Sequence, residues 1–167
     1  MTPDRMADVA PDDLLRDARA HLFAEADREM DDELVLIGRR QLRDNNSWMH
    51  NAPRLVKGPP RCTLLVHPTD AASRQLANGD AVRLGSVAGA IVVRVEVTEA
   101  IRQGFVSLPH GWGHDRDGTR LGVARAHAGV SINDVTSDRH LDTLSGNAAF
   151  GGLAVTLQRL DTETQAL

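Results

Sequence analysis

Two tryptophans, three neighbouring arginines and one run of short polar side chains are the residues whose types and spacing could do chemistry. Trp48 stands in Asn45-Asn46-Ser47-Trp48-Met49-His50-Asn51, and Trp112 in Leu108-Pro109-His110-Gly111-Trp112-Gly113-His114. A Trp among Asn, Ser, Gly and His can offer its face to a flat heterocycle. It can equally plug the end of a barrel, because it carries so much apolar area. Both uses are open for each Trp. Arg39, Arg40 and Arg43 follow Gly38 in a net-acidic chain. Guanidinium groups can bind phosphate bidentately, and Gly38 would let a ligand approach the backbone. The alternative is a solvated charge cluster with Asp44. Asn133-Asp134-Val135-Thr136-Ser137-Asp138 makes turns by default; its sharper use is as donors and acceptors for a polar heterocycle.

Other chemistries find less support. There are seven His, and His110 and His114 are four apart. Gly111 and Gly113 lie between them, so they do not share a stable helix face, and no second pair of ligands stands at suitable spacing. No metal site is expected. There is no G-x-S-x-G elbow for a Ser nucleophile, no Walker A loop and no dinucleotide fingerprint of the strand–turn–helix kind. The single Cys62 excludes an internal disulfide framework and any Cys-based zinc or iron–sulfur site.

The elements that must position these residues are mostly strands. Pro11-Asp12-Asp13 is a helix start, and Leu14, Ala18, Leu22 and Ala26 form one stripe, so an amphipathic helix is expected over 12–29. Leu34-Val35-Leu36-Ile37 reads as an apolar strand ended by Gly38, Cys62 to His67 as a second strand, and Thr69 to Ala77 as a short helix stopped by Asn78-Gly79. Val82 and Leu84, a Gly85-Ser86-Val87-Ala88-Gly89 connection, and Ile91, Val93, Val95 and Val97 form a hairpin with one buried face. One helical turn is expected over Thr98 to Gln103. A strand from Phe105 to Leu108 ends at Pro109, and a last strand over 153–159 carries Leu153, Val155 and Leu157. Residues 1–10 and the tail after the last strand carry no pattern. Two long polar loops, 38–60 and 109–152, interrupt about six short strands, which suggests a small barrel.

The chain has 167 residues and 18.1 kDa, one domain's worth of core. Aromatics are only 3%, so the core must be mostly Val, Leu, Ile and Ala. A net charge of −4 argues against a nucleic-acid binder. No apolar run approaches the ~20 residues that span a bilayer, and the acidic N-terminus is not a secretory signal. A cytoplasmic location and no membrane partner are expected.

Taken together, the motifs resemble the molybdopterin-dinucleotide-binding domain of DMSO-reductase-family molybdenum and tungsten enzymes, the formate dehydrogenase and nitrate reductase class. Leu36-Ile37-Gly38-Arg39-Arg40-Gln41-Leu42-Arg43-Asp44-Asn45-Asn46-Ser47-Trp48-Met49-His50-Asn51 looks like its opening. His67-Pro68-Thr69-Asp70-Ala71, Asn78-Gly79-Asp80, the hairpin, Val97-Thr98 and Leu108 to His114 follow in the family's order. Asn133-Asp134-Val135-Thr136, Asp142 and Ser145-Gly146 match its late segment. The resemblance covers about 34–160. It implies a mainly β fold, a six-stranded double-psi β-barrel of the aspartate decarboxylase-like kind with short helices and an N-terminal helix. Residues 1–33 would be a helical linker and 34–167 the barrel domain.

The resemblance also implies a cofactor, molybdopterin guanine dinucleotide in its bis form with Mo or W. Gly38, Arg39, Arg43, Asn46, Ser47 and Trp48 match the loop that lies along it. His110 and Trp112 match the loop near the pterin, and Asn133 and Thr136 the late polar loop. The family's cysteines and metal-ligand residue lie in other domains, so this chain is expected to bind and not to catalyse. Its partners would be the remaining domains of an oxidoreductase, and folding would need no cofactor. Two alternatives stay open on the same barrel: a small free-standing enzyme, for which Gly85-Ser86 is the only self-processing Gly-Ser pair, and a protein-interaction module of the chaperone-ATPase type.

Overall fold

A computed structural model of the chain describes residues 8, 10–26, 33–142 and 144–160. The chain divides into two compact units: Met1–Asp31 with Asp138–Ala149, and Asp32–Ser137 with Phe150–Leu167. In the first, helix α1 spans Asp12–Ala26. Pro11 accepts its first amide bond from Leu15, and Asp13 pairs with Arg16 one turn on, at 3.0 Å. Residues 27–29, the end of the expected helix, lie outside the described residues, as do most of 1–10 and the tail 161–167. Asp138–Ala149 carries its own local bonds, among them Asp142 N to Asn147 O at 2.8 Å and a bridge between Leu141 and Ala148.

The second unit is the barrel. Its strands are β1 (Leu34–Arg39), β2 (Thr63–Val66), β3 (Ala81–Gly85), β4 (Ala90–Val97), β5 (Phe105–Pro109) and β6 (Leu153–Arg159). They close in the order β1-β5-β2-β4-β3-β6. β1/β5 and β2/β4 are parallel and the other neighbours antiparallel. Exchanging β1, β2 and β3 for β4, β5 and β6 maps every neighbour and direction onto itself, an internal two-fold that no sequence repeat betrays. This is a six-stranded double-psi β-barrel.

The strands close because each has one apolar face. In β4, Ile91, Val93 and Val95 are buried while Val92, Arg94 and Glu96 are exposed, the period-two pattern of a sheet with one wet side. Leu36, Leu64, Val66, Val82, Leu84, Val106, Leu108 and Val155 fill the interior. Fully burying such a side chain is worth about 1.5–3 kcal/mol.

Local differences from the sequence expectation have local causes. Helix α3 (Pro68–Ser73) stops short of Ala77 because Gln75 takes φ +54 and the Leu76 amide turns back to Ala71 O at 2.8 Å. No helix forms over Thr98 to Gln103; the Thr98 hydroxyl takes the Ala100 amide at 3.1 Å, the competition that keeps Thr at turns. Strand β1 runs through Gly38 to Arg39 rather than ending at Gly38. Within the polar loops stand two short helices, α2 (Pro53–Val56) and α4 (Gly122–Ala126), and a 3-10 turn over Ile132–Val135.

Strand directions decide what the barrel presents. Followed round the closed order, the odd-numbered strands end, and the even-numbered strands begin, at the same rim. The connections β1–β2, β3–β4 and β5–β6 therefore all open at that rim. The β2–β3 and β4–β5 connections occupy the other.

Candidate functional site

At the loop-bearing rim, β1 and β5 finish side by side with Arg39 beside Pro109. The His110 amide donates to Arg39 O at 3.1 Å, which starts the second loop alongside the first. Gly38 is required by that neighbour: a Cβ there would fall on the His110 imidazole. The space a side chain at Gly38 would take is thus filled by His110. Burial, and then the nearby Arg40, hold the His110 imidazole below its usual value. It is neutral near pH 7 and offers one donor and one acceptor.

The three arginines take different places. Arg39 turns inward along the wall: it donates to Ser107 O at 2.5 Å, to Thr63 O at 2.7 Å, to Arg61 O at 3.2 Å and to Thr63 Oγ1 at 3.1 Å. Desolvation lowers its pKa, opposed mainly by Glu96, which itself accepts from Thr63 Oγ1 at 2.5 Å. The guanidinium so ties β1 to β5 and β2. Arg40 and Arg43 are exposed; Arg40 donates to Asn46 Oδ1 at 2.5 Å.

Residues 41–50 form successive turns. Asn45 and Asn46 take φ +43 and +62, the left-handed region that Asn tolerates best after Gly. Gly111, at φ +85, lies against this bend, and a Cβ there would overlap Asn46 C and O and the Ser47 amide. So the 110–114 loop rests on the backbone of Asn46 and Ser47. Trp48 extends from the same bend with 81% of its surface exposed.

Trp112 is placed in the opposite way, 9% exposed. Its ring lies 4.0 Å from that of His50, tilted by 34°, with Arg61 6.0 Å above its centroid. Gly129 passes beneath, where a Cβ would crowd Trp112 and Cys62. The two Trp thus differ in burial: Trp112 is packed among loop residues, and Trp48 is open to solvent. Beneath Trp112, Asp44 is 1% exposed and His50 is fully buried. Asp44 Oδ1 accepts from Arg61 Nη2 at 2.6 Å and Nε at 3.1 Å, and lies 3.5 Å from His50 Nε2. His50 Nδ1 lies 2.7 Å from His114 Nε2. Sequence reasoning missed that Asp44, His50, Arg61 and His114 form one cluster. Its one hint is a lone acid among three arginines.

Asn133 and Thr136 are joined to each other: Asn133 O accepts from the Thr136 amide and hydroxyl, each at 3.4 Å. Their turn is seated by Ser86 Oγ, which donates to Val135 O at 2.8 Å, and by an Arg116–Asp134 ion pair. Gly113 lies against Ser131. Contacts therefore run from Gly38 and Ser47 through the 110–114 loop to the 131–136 turn. The Ser86 hydroxyl, engaged with Val135 O and the Ala88 amide, is a turn-forming group. Among the described residues no cluster of His, Cys, Asp and Glu could hold a metal ion.

The family model of the molydopterin (molybdopterin) dinucleotide binding domain matches residues 34–154. The chain belongs to this family. The domain is 36% identical over 78 residues to the dimethyl sulfoxide/trimethylamine N-oxide reductase of Rhodobacter capsulatus, covering 46% of this chain and 9% of that protein. It is 26% identical over 125 residues to a tetrathionate reductase polypeptide of Salmonella typhimurium, covering 65% and 12%. The chain thus spans about a tenth of the length of these curated relatives. Among solved structures, acetylene hydratase from Pelobacter acetylenicus superposes with a TM-score of 0.64 at 23% identity, over 76% of this chain and 18% of that one; this likeness is one of fold. The domain is a molybdopterin-dinucleotide-binding domain, and its cofactor is of the molybdopterin dinucleotide class.

The residues at the rim suit such a group. An exposed indole, two exposed guanidiniums and the exposed amides of Asn46 and Asn133 are the donor set that a flat heterocycle bearing phosphates needs.

Proposed function

We propose that the domain holds one dinucleotide arm of a bis(molybdopterin guanine dinucleotide) cofactor, with Mo or W, as part of a larger oxidoreductase. The observation that carries this reading is the convergence of the two long polar loops, β1–β2 and β5–β6, on one rim, with Trp48, Arg40 and Arg43 exposed there. Trp48 would stack on the guanine, and Arg40 and Arg43 would meet the diphosphate. Gly38, Ser47 and His110, with Asn46, Asn133 and Thr136, would line the path of the dinucleotide. Arg39 and Trp112 would hold the loops in place from within. When bound, the cofactor supplies the redox chemistry; this chain supplies binding and orientation. The remaining domains of the parent oxidoreductase would complete the site.

Calorimetric titration with GDP-mannose, a guanosine diphosphate ester, tests this. Wild type should bind. Trp48→Ala should lose about 1–3 kcal/mol, the range for a base stacked on an aromatic ring, and Arg43→Ala a smaller amount. Unchanged heats in both variants would remove these residues from the site, and no binding by wild type would remove the reading.

A further inference from the structure

Beneath the rim, the imidazoles of His50 and His114 face one another from the two loops that carry the binding residues. Their nitrogens are 2.7 Å apart. Such a contact needs one N–H and one lone pair. The Asp44 carboxylate beside His50 Nε2, at 3.5 Å, favours a proton on that nitrogen. His50 Nδ1 is then the acceptor and His114 Nε2–H the donor. A single extra proton is tolerated, since His50 can then donate through Nδ1 to a neutral His114. Two extra protons are not: both facing nitrogens would carry hydrogen, and two cations would share a site on which Trp112 is stacked.

We propose that His50 and His114 form a proton-sensitive latch that positions the 41–50 loop against the 110–114 loop and lets go when both rings are charged. This rests on the binding reading for its consequence, a weaker grip on the dinucleotide at acid pH, but not for its mechanism. The surroundings set the direction. Burial, and then His50, hold the His114 imidazole below its usual value, while Asp115 opposes them. From the other elements, Arg61 neutralises Asp44, so the carboxylate cannot fully offset a second cation. Arg39 and Cys62 also face Asp44, and Trp112 covers His50 without charge. A base whose folded pKa is depressed contributes stability above its unfolded value, and that stability is lost as pH falls through the folded one. The latch is therefore shut at neutral pH and opens below the ordinary imidazole range, near 6.5.

The Trp112 indole N–H is a built-in reporter, buried and without a hydrogen-bond partner. Its hydrogen exchange, followed by NMR on the ligand-free chain, should show a protection step lost as pH falls below about 6.5, with the His114 ring nitrogens titrating in the same step. His114→Gln keeps a donor without a titrating ring and should abolish the step; His50→Gln is the second variant should the first not fold. GDP-mannose affinity should fall roughly three- to tenfold over the same interval; its diphosphate diester gains no proton there. No indole step in wild type, or a step that persists in the folded Gln variant, would overturn the latch. Affinity that stays flat while the step occurs would overturn its control of binding. A step without nucleotide binding at any pH would uphold the latch and remove the binding reading.

Discussion

At the rim formed by the β2–β3 and β4–β5 connections, polar side chains are answered by backbone amides. Asp70 Oδ2 accepts from the Gly104 amide at 2.7 Å, Asn78 Oδ1 from Val97 N and Asp80 Oδ2 from Ala77 N, each at 2.9 Å. Ala71, Leu76 and Ile101 are buried there. At the opposite rim, polar groups are answered by other side chains: Asp44 by Arg61, His50 by His114, Asp134 by Arg116. The first arrangement closes the barrel. The second holds long loops in one conformation while leaving Trp48, Arg40 and Arg43 outside it. Rigidity under the surface and reach above it are what a binding rim needs.

The contrast can be broken most severely at Asp44. Asp44→Ala leaves the Arg61 guanidinium, itself only 15% exposed, without its carboxylate. Losing one partner of a buried pair costs about 3–5 kcal/mol. Denaturant unfolding should show that loss, and GDP-mannose binding should fall with it because the 41–50 turns lose their anchor. At the closed rim, Asp70→Ala leaves the Gly104 amide without its acceptor, a cost of about 1–3 kcal/mol. Here the unfolding midpoint should drop while affinity, measured where the variant is fully folded, stays at the wild-type value. A parallel loss of affinity would mean that the two rims are mechanically coupled. The smallest stability effect belongs to Trp48→Ala. Exposed side chains away from special features change stability by less than about 0.5 kcal/mol, so its melting curve should overlay wild type while nucleotide binding weakens.

The strands were legible because they are made by alternation. Ile91, Val93 and Val95 announce one buried face whatever lies across from them, and Gly85 to Gly89 announces the turn. The loops were legible only as motifs. Asn45 and Asn46 suit left-handed backbone, but nothing in their neighbourhood says that Gly111 will lie against them. Arg39, Arg40 and Arg43 look alike in a string of letters. They differ because strand pleat points Arg39 along the barrel wall toward Thr63 and Ser107, whereas Arg40 and Arg43 lie beyond the last paired residue of β1.

What the sequence determined by itself is what depends on neighbours in the chain: helix α1 from Pro11 and its acids, six strands from alternation, and, through its ordered motifs, the dinucleotide-binding family. Tertiary structure decided what depends on partners far along the chain. It gathered the odd-numbered connections on one rim, buried Trp112 on His50 while leaving Trp48 in solvent, and set Asp44 and Arg61, or His50 and His114, within bonding distance. Burial and charge pairing are properties of positions in space, and two residues 64 apart in sequence, as His50 and His114 are, acquire them only when the barrel closes.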